Sequence, residues 1–307
     1  MRLTDDTLVE PAEAAAAALA IPHTTVDFRN RFRAAVINTF AQAYKIGLTP
    51  NPCVVCNFEI KFGALLDYAL AQGADKLATG HYVQVEGGRL LKGVDPKKDQ
   101  SYFLYRLRQD KLSHLLFPLG KYTKDTVKEM ARNLGLPQAD TAESQDICFI
   151  PGGDCGAYVE RVLGYKPESG PVVDTAGKTI GRHNGITRLT VGQRKGLGIP
   201  AGEPLYVLGI DAAKNEVTAG PRQDALKTKV SIDTITWVAD APPAGRLWAE
   251  AKIRYNGAAL PVTVSLTGRD EAELVFDAPQ FAPAPGQSAV IYDADVVLGG
   301  GVIREAH

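Results

Sequence analysis

Four cysteines are the residues of this 307-residue chain best suited to chemistry, and they occur in two unusual segments. Cys53 and Cys56 form a CxxC within TPNPCVVCN (residues 49–57), and Cys148 lies in SQDICF (residues 144–149). The polar residues of both segments are atypical of a hydrophobic core. We therefore expect thiols distant in sequence to act as a pair in sulfur chemistry. A helix predicted after Cys56 would place its sulfur near a helix N-terminus, where the dipole favours the thiolate.

Three other interpretations of the cysteines stay open at this point. Cys148 and Cys155 could complete a four-thiolate zinc site with the CxxC, although their spacing is wider than that of a zinc knuckle. A thioredoxin-type redox motif is also conceivable, but the preceding proline-rich loop is the wrong context for it. The thiols could finally be inert and buried.

Composition restricts the class of protein. The chain is 45% hydrophobic and 22% charged, which is ordinary for a globular protein, and its net charge is -1. No global field therefore attracts it to nucleic acid, and RNA binding would need local basic faces. No apolar run approaches the roughly 20 residues of a membrane span, and the first residues lack a signal-peptide core. With four cysteines, a disulfide scaffold is not expected, so we predict a cytoplasmic protein without a membrane partner.

The first half of the chain alternates helical and strand patterns, which is typical of an α/β layer structure. Apolar spacing predicts helices over residues 12–19, 32–44, 60–71 and 123–134. Short strands are predicted over residues 21–28 and 76–79. The proline-rich segment at 49–53 is predicted to interrupt the helical region.

After about residue 165 the pattern becomes β-rich. Turn signals recur between short β-branched runs at residues 229–238, 260–266 and 288–292. We predict an α/β fold followed by a mostly β region, divided into three domains. These are an α/β domain at residues 1–164, a small connector at 165–225 and a C-terminal β-barrel at 226–307.

The cysteine segments resemble signatures of a known family. TPNPCVVCN continues into Glu59-Ile60-Lys61-Phe62 and is similar to the TPNPCxxCNxxIKF signature of tRNA-specific 2-thiouridylases. The second segment resembles the SQDxCF signature of that family. ATGHY (residues 78–82), KDQSYFL (98–104) and the segments at 181–199 and 252–301 extend the resemblance from about residue 9 onward. The family has an ATP-pyrophosphatase-type (PP-loop) α/β domain, which the resemblance implies here.

The resemblance implies ATP-dependent 2-thiolation of the wobble uridine of tRNA. ATP, with magnesium, adenylates the C2 oxygen and makes it a leaving group. Cys148 matches the cysteine that carries the sulfur as a persulfide, and Cys56 matches the partner nucleophile. Sulfur reaches C2 directly or as hydrogen sulfide, and a Cys56–Cys148 disulfide is then reduced. No stable metal or prosthetic group is expected.

The family also implies partners and binding residues. Its substrate is tRNA, and a persulfide-carrying protein donates the sulfur. Gly80 matches a position that binds the adenine nucleotide, since glycine permits close approach. The segment 178–195 has five Lys or Arg and no acidic residue, which suits RNA phosphates as well as a solvated surface. The positions matching tRNA contacts are Asn51, Pro52, Cys53, His81, Lys98, Asp99, Gln100, Arg254, Tyr255 and Gln287.

One family signature, the glycine-rich SGGxDS loop that holds the ATP phosphates, does not occur in these residues. Met1 aligns inside the α/β domain of the family, after that loop, so we expect an N-terminally truncated chain. Two classes of function are therefore predicted: the sulfurtransferase, or a non-catalytic tRNA-binding remnant of one. A zinc-stapled RNA-binding module is a third.

Overall fold

The protein was analysed as a computed structural model that describes residues 9–136, 147–150, 152–200, 202–239, 241–242 and 245–307. Ser144, Gln145 and Asp146 of the second cysteine segment lie outside these residues. Within the described parts of the chain, no helix is both long and apolar enough to cross a bilayer.

Helices surround the cysteines in the first part of the chain. Helix α1 is Val9–Ala18, α2 occupies residues 29–45, and α3 occupies residues 52–71. Both longer helices contain a π-helical stretch, Arg33–Asn38 in α2 and Asn57–Leu65 in α3. The predicted helices are thus confirmed, but residues 21–28 form no strand. That prediction was wrong: the run is β-branched and mostly exposed, and no neighbouring strand satisfies its backbone.

A short parallel pair and a hairpin complete this part. Strand β1 (Leu77–Ala78) pairs in parallel with β4 (Leu115–Leu116), and β2 (Val83–Glu86) forms a hairpin with β3 (Arg89–Lys92). Three further helices follow in chain order: α4 is Gln109–Leu112, α5 is Lys124–Asn133 and α6 is Cys155–Leu163. Thr123 caps α5 through its side-chain oxygen.

The connector contains a four-stranded sheet in the order β6-β5-β8-β7. Its strands are β5 (Gly170–Val173), β6 (Thr179–His183), β7 (Tyr206–Asp211) and β8 (Glu216–Gly220). The side chains that fill its core come from these strands, from the loop between β6 and β7, including Leu189, Val191 and Leu197, and from Ala282 and Ala284 of the C-terminal part.

The C-terminal part is a closed antiparallel barrel of six strands, as predicted. They are β9 (Leu226–Trp237), β10 (Leu247–Lys252), β11 (Leu260–Leu266), β12 (Ala272–Phe281), β13 (Ser288–Asp293) and β14 (Val296–Ala306). Pairing of β13 with β14 closes the barrel. Alternating apolar residues such as Val262, Val264 and Leu274 point inward and form its core.

The barrel and the α/β part share structure. Leu91 of β3 pairs with Val296 of β14, which extends the barrel sheet into the β2–β3 hairpin. One hydrophobic cluster contains Phe62 and Leu66 of α3 together with Val290 and Tyr292 of β13. The helix that begins at the first cysteines therefore packs on the barrel, and the barrel contributes to the position of the thiols.

Candidate active site

Helix α3 begins immediately before the first two cysteines. Asn51 is its N-cap: Oδ1 accepts hydrogen bonds from the backbone N–H groups of Cys53, at 3.2 Å, and Val54, at 3.4 Å. Pro52 occupies the first helical position, where its missing N–H is no loss. Cys53 consequently lies in the first turn with an exposed side chain.

Cys56 lies one turn further along α3, at the start of the π-helical stretch. The prediction that this thiol is at a helix N-terminus, with a dipole-stabilised thiolate, was wrong because the helix begins four residues earlier. Cys56 is partly buried against the aromatic cluster of α2. This burial raises the pKa of its thiol above the ordinary value, while the charge of Lys61 opposes the increase.

Cys148 lies in a loop that the same aromatic cluster anchors. The neighbouring Phe149 is buried, with its ring centroid 5.6 Å from that of Phe32 and 5.5 Å from that of Phe40. Cys148 itself is exposed. A thiol beside a rigidly held aromatic residue has a fixed location and remains accessible.

The structure brings Cys53, Cys56 and Cys148 into one neighbourhood. Although Cys53 is exposed, the chain around its sulfur desolvates the thiol and raises its pKa to about 11, and the charges of Cys148 and Cys56 add to this. The charge of Cys148 also raises the pKa of Cys56. Segments about 90 residues apart in sequence thus form a three-thiol cluster.

Cys155 has a different environment. It is the first residue of α6 and its side chain hydrogen-bonds the hydroxyl of Tyr44. All four cysteines are free thiols, so the Cys56–Cys148 disulfide that the family resemblance implies is not formed in this structure. Among the described residues, no group of three or more His, Cys, Asp or Glu side chains could hold a metal ion.

Gly80 and His81 follow the carboxyl end of β1. Gly80 is exposed, and a Cβ there would meet only Leu119 Cδ1, at an ordinary 3.5 Å. His81 is 8% exposed and packs against Phe62 and Phe117. Its ring nitrogens lie 3.4 Å from Lys61 Nζ and 2.8 Å from Thr79 Oγ1. Ligands commonly bind beyond the carboxyl ends of parallel strands, and nucleotide binding at Gly80 stays a prediction.

The Lys98-Asp99-Gln100 segment is used largely for internal hydrogen bonds. Asp99 is buried, and its carboxylate accepts from the backbone N–H groups of Gly93 and Ser101 and from the Ser101 hydroxyl. Gln100 Oε1 accepts from the N–H of Tyr82 at 3.0 Å. Lys98 is half-buried. Contact of these residues with tRNA stays a prediction. For Asp99 little of the side chain is accessible to a ligand.

The three barrel residues predicted to contact tRNA are also half-buried. Arg254 Nη2 donates to the backbone carbonyls of Phe281, at 2.9 Å, and Ala282, at 2.6 Å. The Tyr255 ring stacks on Phe103 with centroids 4.3 Å apart. Gln287 Nε2 donates to the carbonyl of Thr49 at 3.1 Å. The contacts of Tyr255 and Gln287 tie the barrel to the KDQ and cysteine segments, whereas those of Arg254 stay within the barrel part.

Some basic side chains of the segment at 178–195 bind other groups of the protein, whereas others face solvent. Arg188 forms an ion pair with Glu160 at 2.7 Å, and Arg182 donates to the backbone carbonyl of Ser169. Arg194 and Lys195 are exposed. Their loop lies close to the barrel at Gly192, where an added Cβ would be 2.8 Å from Ala282 Cβ.

Sequence reasoning assigned no role to two features of this site. One is Lys61, whose ammonium lies 3.4 Å from His81 Nε2 and whose charge lowers the pKa of Cys53 and Cys56. The other is a stacked pair in which the Arg106 guanidinium lies 3.9 Å from the centroid of the half-exposed Phe58 ring. Lys61 could have been noticed because it belongs to the IKF end of the first signature, whereas nothing in the sequence predicts the Phe58–Arg106 pair.

Comparison with known proteins assigns the three parts to family models. Residues 3–152 match the model of a tRNA methyl transferase HUP domain, and residues 157–221 match that of a tRNA methyl transferase PRC-barrel domain. Residues 227–303 match an aminomethyltransferase β-barrel domain. The α/β, connector and barrel organisation is thereby confirmed.

Curated relatives give the family a narrower description. A tRNA-specific 2-thiouridylase MnmA of Desulfosudis oleivorans is 46% identical over 92% of this chain and 80% of its own length. The protein of that name from Geotalea uraniireducens is 47% identical over 97% and 80%, respectively. A third, from Nostoc punctiforme, is 43% identical over 94% and 84%.

This chain belongs to the tRNA-specific 2-thiouridylase family. Members of the family are transferases, and the methyl-transferase wording of the domain models is a matter of nomenclature. The TPNPCxxCN segment of this family member is the N-cap and first turns of α3, and its three-thiol cluster is the candidate active site.

Proposed function

We propose that this chain catalyses the ATP-dependent 2-thiolation of the wobble uridine of tRNA. The observation that carries the proposal is the three-thiol cluster of Cys53, Cys56 and Cys148, whose neighbour Lys61 contacts His81. Family membership supports the same reaction. An amide-like C2 carbonyl is a poor electrophile, so its oxygen is activated as the adenylate before sulfur can replace it.

The two thiols divide the sulfur chemistry. Cys148, exposed beside the buried Phe149, is suited to receive a sulfur from a persulfide-carrying donor and to hold it as Cys148–S–SH. The Cys56 thiolate attacks the inner sulfur, an S–S bond forms between Cys56 and Cys148, and the terminal sulfur leaves as HS⁻. HS⁻ adds to C2 of the adenylated uridine, and AMP leaves with the oxygen. A thiol reductant then restores both cysteines.

The partly buried position of Cys56 fits a partner nucleophile. Because burial raises the pKa of its thiol, Cys56 is mostly protonated at neutral pH and is protected from indiscriminate oxidation. The exposed Cys148 can meet a protein donor. Nucleotide binding at Gly80 and tRNA contacts along the 178–195 loop and the barrel are parts of the same proposal.

The test measures 2-thiouridine by mass spectrometry of nucleosides from unmodified tRNA. The assay contains ATP, magnesium and a persulfide donor. We expect product with the unsubstituted chain and none with Cys56→Ser or Cys148→Ser. Cys155→Ser is the matched control, because its hydroxyl can keep the bond to Tyr44 and it should retain activity.

Two outcomes would contradict the proposal. If Cys148→Ser retains activity, or persulfide sulfur is found on Cys155 alone, the assignment of the sulfur carrier is wrong. If the chain binds tRNA but releases neither pyrophosphate nor AMP with ATP, it is a non-catalytic tRNA-binding protein.

A further inference from the structure

Lys61 occupies a special position on α3. It is half-buried within the π-helical stretch Asn57–Leu65 and is five residues beyond Cys56. Hydrogen bonding from i to i+5 widens the helical turn, so residues five apart lie close to one another along the helix surface. In a regular α-helix, with 3.6 residues per turn, residues five apart diverge around the axis. The π-helical stretch therefore turns Lys61 toward the side of α3 that carries Cys56.

On one side, Lys61 is linked to the turn after β1. Its ammonium has only donors, so at 3.4 Å the Nε2 atom of His81 is the acceptor. The remaining ring hydrogen is then on Nδ1, which donates to Thr79 Oγ1 at 2.8 Å. Burial, and secondarily the charge of Lys61, lowers the pKa of His81 to about 3, so the imidazole is neutral.

On the other side, Lys61 acts on the thiols. Its positive charge lowers the pKa of both Cys53 and Cys56, in opposition to the larger effect of burial. The charge of Cys148 raises both values. The nearest other charges on this helix belong to Glu59, which is paired with Arg31 of α2 at 3.9 Å. Lys61, the basic residue of α3 itself, is thus placed to compensate negative charge on sulfur.

We infer that Lys61 is a positioning residue of sulfur transfer, which stabilises the Cys56 sulfur when it becomes an anion and links that thiol to the turn at His81. The role rests on the proposed function. Loss of the Cys56 proton to solvent creates a thiolate, and its attack on the Cys148 persulfide releases HS⁻. Both species are anions formed beside a fixed ammonium, and preorganised charge of this kind favours the step that creates them.

The direct test is the pH dependence of Cys56 alkylation by iodoacetamide. Cys53, Cys148 and Cys155 are replaced by serine, so that only Cys56 reacts. In this background, Lys61→Met should raise the pH midpoint of alkylation by about one unit, which makes the reaction about tenfold slower below the midpoint. Lys61→Arg should preserve most of the charge effect.

Lys111→Met is the matched control. Lys111 pairs at 2.7 Å with Asp67 of α3, and Asp67 is eleven residues beyond Cys56, more than two turns further along that helix. Its loss should leave the midpoint unchanged. Circular dichroism confirms folding, and Lys61→Gln replaces Lys61→Met if the latter does not fold.

Each result has a definite consequence. An unchanged midpoint in a folded Lys61→Met or Lys61→Gln variant overturns the inference, as does a midpoint in Lys61→Arg equal to that of the neutral variants. The nucleoside assay on the unsubstituted chain is independent of this test. If that chain makes 2-thiouridine but the midpoint does not move, only the role of Lys61 fails. If the midpoint moves but no thiolated tRNA forms, the proposed function fails.

Discussion

Gln287 of the barrel donates a hydrogen bond from Nε2 to the carbonyl of Thr49, two residues before the N-cap of the thiol-bearing helix. The N–H of Thr49 in turn donates to the carbonyl of Pro285 at 2.8 Å. Both the N–H and the carbonyl of Thr49 are therefore hydrogen-bonded to the barrel. These two bonds hold the loop that leads into Cys53. A residue predicted as a tRNA contact thus also positions the thiols.

Replacement of Gln287 by Ala should loosen this loop. We expect a loss of about 1 kcal/mol in the free energy of unfolding, as for one hydrogen bond, and a changed alkylation rate of Cys53. Gln280→Ala is the control, because Gln280 Nε2 donates to the carbonyl of Ala278, two residues away on the same barrel strand. Equal Cys53 reactivity in both variants would show that the hydrogen bond between Gln287 and Thr49 does not position the thiol.

The buried His81 should make stability depend on acid pH. Its pKa is lowered from 6.5 to about 3 by burial and by Lys61, so between these values the unfolded chain binds the proton and the folded chain does not. The stabilisation is complete above about pH 6.5 and decreases as pH falls toward 3, by about 1.4 kcal/mol per pH unit. His81→Gln should flatten urea-unfolding stability over this window, whereas the exposed His307→Gln should not.

Gly192 should tolerate no side chain. Its φ is +88°, and a Cβ would lie 2.8 Å from Ala282 Cβ and 3.1 Å from Arg254 Nη2. We expect Gly192→Ala to lower the free energy of unfolding by about 1–3 kcal/mol more than Gly198→Ala. Gly198 also has a positive φ, of +65°, but open space around it. If both variants lose a similar free energy of unfolding, backbone strain alone, and not the close approach of the barrel, explains why residue 192 is a glycine.

Arg194 should contribute to tRNA binding through a phosphate. The side chain is exposed, and the net charge of the chain is only -1, so binding depends on local cations that release counterions. Arg194→Ala should weaken tRNA binding and reduce the slope of log K against log salt by about 0.7–0.9. Arg304→Ala serves as control, since Arg304 is paired with Glu271 and Glu305 on the barrel. If the salt dependence of tRNA binding is unchanged in Arg194→Ala, Arg194 does not contact an RNA phosphate.

Local patterns in the sequence predicted much of the architecture. The four helices with apolar periodicity, the strands after residue 225 and the barrel are all present, because amphipathic spacing and turn chemistry act over a few residues. The strand predicted at residues 21–28 failed since a strand needs a partner, and partner pairing is not a local property. For the same reason, the sequence did not predict that the β2–β3 hairpin joins the barrel sheet through Leu91 and Val296.

The site was predicted to a similar extent. The sequence identified the thiols that come together, but it misplaced Cys56 at a helix N-terminus, because the helix start was assigned after the CxxC and not at Asn51. Motif residues such as Asp99 were taken as surface contacts, whereas the structure uses its carboxylate to bond Gly93 and Ser101. A motif shows that a residue type is required at a position. Whether it faces a ligand or the interior depends on long-range packing.

The late position of β14 in the chain has a consequence for biosynthesis. This strand pairs with β3, β9 and β13, so contacts that close the barrel and join it to the α/β part span up to about 200 residues. During translation, β3, β9 and β13 lack this pairing partner until residues 296–306 have emerged from the ribosome. High contact order of this kind slows folding and prolongs exposure of unpaired strand edges. A nascent chain stopped before Val296 should therefore depend on chaperones, and assembly of the thiol site should follow synthesis of β14.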